Sequence, residues 1–213
     1  MNIPFSFDHT GFPLLHLIDL GCYVHLLPVS KAQFGVYAEE HEYTRTVYDE
    51  ASRANPLDRE GPASAVRLEN HLMTGVIPSE AMHFAAWMGD ADVPDAVFKL
   101  PILAEWREIY KALQYELCEP LAGRIYETCP SSAARDILQF VFESRQPHTL
   151  LELSLMRAGI VEWVSQGEHW KGLGCPDPAF FPNTFDPLKD EFTPIDPNRR
   201  MKAFGFRLIR TFI

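Results

Sequence analysis

The chain has 213 residues, 46% hydrophobic and 23% charged, with 19 Lys+Arg against 29 Asp+Glu and a formal net charge of −10. That length suits one large domain whose core needs no metal or disulfide staple, and the acidic balance disfavours nucleic acid, because neutralising phosphates takes clustered Lys and Arg. The 17 prolines, 12 glycines and 15 phenylalanines are the departure from ordinary composition and point to long ordered loops with aromatic anchors.

Met1 to Asp8 lack the charged and apolar regions of a secretory leader. No stretch approaches the roughly 18 apolar residues of a membrane span, so no membrane contact is expected. Cys22, Cys118, Cys129 and Cys175 lie far apart without C-x-x-C spacing, which predicts reduced thiols in a cytoplasmic protein. A Cys118–Cys129 disulfide fits by loop length alone.

Residues 16–20 and 22–27 are apolar runs divided at Gly21 and predict a strand pair. Ser30 with Gln33 makes a capping box, opening a helix with Phe34, Tyr37 and Ala38 on one face and an end near Glu40 or His41. Residues 43–70 read as an ordered polar loop. Residues 72–76 predict a short strand. Pro78 and Ser79 open a second helix with Ala81, Phe84, Ala85 and Met88 inward and Gly89 as its stop. Residues 97–101 read as extended, followed by a third helix with Leu103, Trp106, Tyr110 and Leu113 on one face. Between 116 and 130 the periodicity weakens. Ser131 and Ser132 then cap a fourth helix with Ala134, Ile137, Leu138 and Val141 inward, closed by Pro147. Residues 150–164 are apolar and partly extended.

Residues 165–200 carry almost no periodicity, and Pro176, Pro178, Pro182, Pro187, Pro194 and Pro197 are set among Trp170, Phe180, Phe181, Phe185 and Phe192. Such a loop is usually functional or disordered, and its aromatics favour order. Residues 204–210 predict a final strand tying the C-terminus into a sheet. There is no repeat, low-complexity tract or second-domain boundary.

Five phrases, in order, resemble the formylglycine-generating-enzyme (sulfatase-modifying-factor) family. Pro28-Val29-Ser30 opens the first helix, and Thr74-Gly75-Val76 precedes a helix with Trp87-Met88-Gly89 near its end. The phrase from Lys99 to Arg107 contains Pro101, Glu105 and Trp106; that from Leu155 to Val164 contains Glu162 and Trp163; the ending is Gly205-Phe206-Arg207-Leu208. The resemblance implies an α+β fold of C-type-lectin-like type, a twisted antiparallel sheet with a few packed helices and long ordered loops. It would span residues 1–213 as a single domain, with family-divergent inserts at about 43–70 and 111–149. Trp106 and Trp163 have the bulk to knit helices to the sheet. Glu105 and Glu162 suit hydrogen bonding to irregular backbone. All eight signature residues, Pro101, Glu105, Trp106, Glu162, Trp163, Gly205, Phe206 and Arg207, are expected to be structural.

The family's best-known activity, oxygen-dependent conversion of a substrate cysteine to formylglycine, uses copper held by two close cysteines near the C-terminal end. Here that region offers Cys175 alone, and residues 197–202 lack the family's cysteine. The related iron-dependent sulfoxide synthases add a helical domain for which this chain is too short, and its eight histidines are scattered. The position where the family commonly has an asparagine that suits calcium is Gly159. No P-loop, G-x-S-x-G, Rossmann glycine fingerprint or H-E-x-x-H occurs. No catalytic residue, metal or cofactor is therefore expected.

The expectation is a non-catalytic protein-binding module, an accessory subunit docking another protein in a hetero-complex. Catalytically eroded family members occur in bacterial cytoplasmic multi-component systems, defence systems among them. The candidate contact residues are Trp170, Phe180, Phe181, Phe185 and Phe192, with the acidic segment 39–60 as a second surface. The competing reading of these phenylalanines is a second core beneath the loop. Two alternatives stand beside the module: a metal-dependent oxidoreductase of the formylglycine-generating or sulfoxide-synthase type, and a ligand-binding variable protein of lectin-like fold.

Overall fold

The computed structural model describes residues 3–41, 71–91, 93–176 and 185–212. The loop expected at 43–70 and the candidate residues Phe180 and Phe181 lie outside the described residues. Within them the expected α+β arrangement is present.

The N-terminal apolar runs pair as expected. Strands β1 (Phe5–Phe7), β2 (Pro13–Leu17) and β3 (Cys22–His25) form an antiparallel meander. Between β2 and β3 a 3-10 turn, Ile18–Leu20, closes at Gly21, whose φ of 61° is left-handed and free of strain only without a side chain. The last strand, β10 (Ile209–Phe212), pairs with β3, and β4 (Ala96–Lys99) completes the order β1-β2-β3-β10-β4. Because side chains alternate along a strand, Leu15, Val24 and Ile209 face one core while Leu14 and Phe98 face another.

Among the described residues six helices cover the two faces: α1 (Lys31–Glu40), α2 (Pro78–Ala91), α3 (Leu103–Leu113), α4 (Glu119–Thr128), α5 (Ser132–Arg145) and α6 (Leu150–Leu153). Phe34 of α1 and Phe84 of α2 stack at 5.4 Å in one core. Buried residues of α3 to α6, among them Trp106, Ile125, Leu138 and Leu151, build the other. The capping box is formed: Ser30 Oγ accepts from Gln33 N at 3.1 Å, and Gln33 Oε1 accepts from Ser30 N at 3.0 Å. Ser131 caps α5 as expected. Among the described residues no helix is long and apolar enough to cross a membrane.

Several expectations change. Gly89 does not stop α2, which continues to Ala91; its bare Cα sits against the backbone of β4 near Ala96. Residues 72–76 form no strand, only one bridge between Leu72 and Ser30. The weakly periodic stretch before Pro130 contains α4, with Pro120 at its start and only Leu121, Ala122 and Ile125 buried. Residues 165–200 do not begin as loop: β6 (Val161–Gln166) turns at Gly167, φ 61°, into β7 (His169–Leu173). Beyond it, β8 (Cys175–Pro176) pairs parallel with β5 (Arg157–Gly159). The final strand is really two. β9 (Phe204–Gly205) lies beside β6, then Phe206 to Leu208 cross to the larger sheet, where β10 begins. The crossing is held by Val29 N to Phe206 O at 2.9 Å and His25 N to Leu208 O at 3.1 Å.

Candidate functional site

The eight signature residues converge on the core. Trp106 is fully buried, and its Nε1 donates to Glu162 Oε2 at 2.9 Å. Glu162, also fully buried on β6, forms an ion pair with Arg207: Nε donates to Oε2 at 3.0 Å and Nη2 to Oε1 at 2.7 Å. Arg207 spends its other donors on backbone, with Nη1 on His25 O and Leu26 O and Nη2 on Ser154 O, each at 2.6 Å. The guanidinium therefore donates to three buried backbone carbonyls besides the Glu162 carboxylate. Trp163 Nε1 donates to Val76 O at 2.8 Å. Pro101 O accepts from Ser165 N at 3.2 Å. Glu105 receives Ile102 N at 2.8 Å and Lys99 Nζ at 2.7 Å, closing the start of α3. Gly205 approaches Met73 O and Ile160 so closely that a Cβ would lie 2.5 Å from each, and Phe206 packs against Phe34 and Phe84. These residues hold helices to sheets.

A second buried polar group surrounds Asp8. Its Oδ1 accepts from Thr10 N at 2.8 Å and Phe12 N at 3.0 Å, while Oδ2 lies 2.9 Å from His25 Nε2 and accepts from Gln33 Nε2 at 3.1 Å. Burial by itself would raise the Asp8 carboxyl, but the hydrogen bond and charge of His25, with Thr10 and the Phe12 amide, hold it below the ordinary value. His25 is only 1% exposed, and this acid–imidazole pair, with Gln33, ties β3 and α1 to the N-terminal turn.

Copper chemistry of the kind the resemblance implies needs two close thiolates. The described cysteine side chains do not fit. Cys118 and Cys129 flank opposite ends of the ten-residue α4, roughly 15 Å of helix apart, which also rules out the disulfide considered for them; both are free, as is Cys22 on β3. Cys118 Sγ donates to Pro147 O and Cys129 Sγ to Gly11 O, and burial pushes all three thiols above their usual range. At Gly159 a Cβ would overlap the Leu155 carbonyl, so this backbone admits no side-chain oxygen there. Among the described residues no cluster of three His, Cys, Asp or Glu side chains is placed to hold a metal ion.

The aromatic candidates separate. Trp170 on β7 and Phe192 are half-buried against the core that contains Phe204, and Phe185 stacks on Phe192 at 4.4 Å. Phe192 also exchanges backbone hydrogen bonds with Gly172, each 2.9 Å. Two arginines pin this segment: Arg107 donates to Pro187 O at 3.2 Å and to Glu191 Oε2 at 2.9 Å, and Arg200 pairs with Glu80 at 2.6 Å. For Phe185 and Phe192 the geometry is that of a small second core, both rings being partly buried.

Exposed apolar side chains cluster elsewhere. A pocket of about 480 Å³ opens between the 3-10 turn and the C-terminal half of α3. Ile3, Pro4, Leu17, Ile18, Leu20 and Ala112 supply its apolar lining. Asp19, Glu108 and Glu116 bring carboxylates, against Lys111 and His16. Ile18 is 65% exposed, and Tyr115 and Leu117, which flank Glu116 in the chain, are 83% and 71% exposed. Sequence reading placed residues 16–20 in an extended run and missed this surface. The available signal was the excess of apolar residues in Leu14-Leu15-His16-Leu17-Ile18-Asp19-Leu20, more than one buried strand face can use.

Residues 21–116 match the family model described as a sulfatase-modifying factor enzyme 1-like domain. The match runs from the turn before β3 to just past α3, so the phrases at 155–164 and 205–208 lie outside it and are joined to it by the Trp106–Glu162–Arg207 contacts. The mixed helices and antiparallel sheet agree with the C-type-lectin-like fold of that family. Comparison with curated proteins and with solved structures finds no match.

Proposed function

We propose that this chain, which belongs to the sulfatase-modifying-factor (formylglycine-generating-enzyme) family, works as a non-catalytic protein-binding module. It is an accessory subunit that docks another protein in a bacterial cytoplasmic multi-component system, of which defence systems are one kind. The observation that carries this reading is the division of labour among residues. The family signature is largely buried, while the large apolar side chains of Ile18, Leu20, Tyr115 and Leu117 stand in solvent, those of Ile18 and Leu20 in the lining of a concave surface. Grouped exposed apolar side chains are the ordinary mark of an interaction surface. The free, buried thiols of Cys22, Cys118 and Cys129, each with a raised pKa, suit packing better than oxygen chemistry.

The test is co-expression of the tagged chain with the products of neighbouring genes, followed by affinity capture and size-exclusion chromatography. A stoichiometric hetero-complex is expected. A chain that stays alone with every neighbour's product, while consuming oxygen in the presence of a cysteine peptide, would sink the proposal.

A further inference from the structure

We infer that the groove between α4 and α5 receives an amphipathic helix of the partner protein, with Lys or Arg flanking its apolar stripe. This rests on the binding-module reading and adds the form and charge of what the partner presents. The groove, about 450 Å³ in volume, takes one stripe of residues from each helix. Glu119, Ala122, Gly123, Tyr126 and Glu127 follow the i, i+3, i+4, i+7, i+8 spacing along α4. Phe142 and Glu143 face them from α5. From Glu119 to Glu127 the stripe is about 12 Å long at ~1.5 Å per residue, so two turns of a third helix fill it. Both helices lie beyond residues 21–116, so this surface is no part of what matches the family model.

Gly123 says how closely the occupant approaches. Glycine inside a helix is destabilising relative to alanine, and its backbone here is not left-handed. A Cβ at this position would meet nothing within 4 Å, so packing inside the chain does not require the glycine. The room it leaves in the floor, beside the buried Ala122, is open to a helix from outside. Tyr126 and Phe142 give that helix apolar surface. Leu117, 71% exposed and two residues before Glu119, extends it at one end.

Charge sets the flanks. Glu119 and Glu127 are exposed at the two ends of the α4 stripe, and neither is in an ion pair among the described residues. Glu143 accepts from a neutral donor, Gln139 Nε2 at 2.7 Å, and keeps its charge. Among the described residues no basic side chain lines the groove. Arg124, the basic residue of α4, lies over the Phe5 ring at 5.3 Å, and Arg135 of α5 donates to Cys129 O. Arg145 ends α5 outside the lining. Lys or Arg on the incoming helix is therefore attracted at both ends of the α4 stripe, and an acidic helix is repelled. A second copy of this chain is a poorer occupant, since at a net charge of −10 it brings like charge.

The experiment uses the full chain and synthetic helical peptides of about 15 residues, long enough to hold some helix alone. Each carries a Leu and Ala stripe flanked by Lys, by Glu or by Gln. Binding is read by fluorescence anisotropy at low and high salt and mapped by amide NMR shifts. The Lys peptide is expected to bind, to shift Gly123, Tyr126 and Phe142, and to weaken with salt. Two variants separate space from charge. Gly123→Leu adds a good helix former at an exposed position, so Tm should rise by about 2–3 °C while affinity falls at least about tenfold. Glu119→Lys/Glu127→Lys, also at exposed positions, should weaken the Lys peptide about tenfold and favour the Glu peptide. Loss of binding in a more stable protein is not misfolding.

Equal binding of Lys and Glu peptides, shifts confined to another surface, or no binding at all overturns the inference. So does a Gly123→Leu protein that binds as wild type does, or one whose Tm falls, since the floor is then not open. A concentration-dependent dimer abolished by Gly123→Leu would overturn it in favour of a second copy. If the partner captured by co-expression is held equally by wild type and both variants, the groove is wrong and the module reading stands. If wild type captures no partner, the module reading falls and the groove with it.

Discussion

Replacing Glu162 by alanine removes one carboxylate that serves two buried donors at once. Trp106 Nε1 loses its acceptor, and Arg207 loses the partner that accepts from Nε and Nη2. Breaking a buried ion pair from one side costs roughly 3–5 kcal/mol. Here the low end of that range applies, because Arg207 keeps the His25, Leu26 and Ser154 carbonyls. Orphaning a buried indole N–H adds at least about 1 kcal/mol. The sum is about 4 kcal/mol, which at ~2–4 °C per kcal/mol for a chain of this size is a fall in Tm of roughly 8–16 °C. Glu162→Gln keeps one acceptor oxygen and should lose about half as much. The double variant Glu162→Leu/Arg207→Met separates two accounts of the cluster. A plain ion pair replaced by apolar groups is often neutral or stabilising, but Arg207 also serves three backbone carbonyls, so the double variant should recover little. Urea titration and thermal melts followed by Trp fluorescence measure all three. A Glu162→Ala protein within about 1 kcal/mol of wild type, or a double variant as stable as wild type, would refute the reasoning.

Asp8 has a native pKa held below the ordinary carboxylate value, so its stabilisation is complete above the unfolded value of about 4 and is lost as pH falls through the native one. Urea midpoints between neutral and acid pH should therefore drop for wild type, and Asp8→Asn should be less stable at neutrality with a flatter acid limb. Cys22, Cys118 and Cys129 should resist iodoacetamide in the folded protein at mildly alkaline pH and react once unfolded, read by peptide mass spectrometry, because burial has raised each thiol. Gly205→Ala would place a Cβ 2.5 Å from Met73 O and Ile160 Cδ1, and a cost of roughly 1–3 kcal/mol in a urea titration is expected.

Local chemistry was legible in the sequence and long-range chemistry was not. The Ser30–Gln33 capping box depends on residues three apart, and both reading and structure agree on it. The inward faces of α1, α3 and α5 follow from apolar spacing alone. α4 escaped notice because only three buried side chains, Leu121, Ala122 and Ile125, mark its inner face. Trp106 and Glu162 were recognised as parts of two phrases. Nothing local says that they touch across 56 residues, or that Arg207 joins them across 45. The aromatic tract was read as one loop because its prolines dominate. Gly167, between the β-forming runs ending at Gln166 and beginning at His169, carried the hairpin signal. The pocket at Ile18 and Leu20 depends on these residues leaving the strand for a 3-10 turn, a backbone choice that apolar periodicity does not encode.

The proposed non-catalytic role is tested most directly on the purified chain. It is supplied with Cu(I) and a cysteine-containing peptide in air, with oxygen uptake, retained copper and peptide mass followed together. The account predicts no uptake above the blank, no stoichiometric copper after desalting and an unmodified peptide. Retained copper with oxygen consumption and conversion of the peptide thiol to an aldehyde would contradict it.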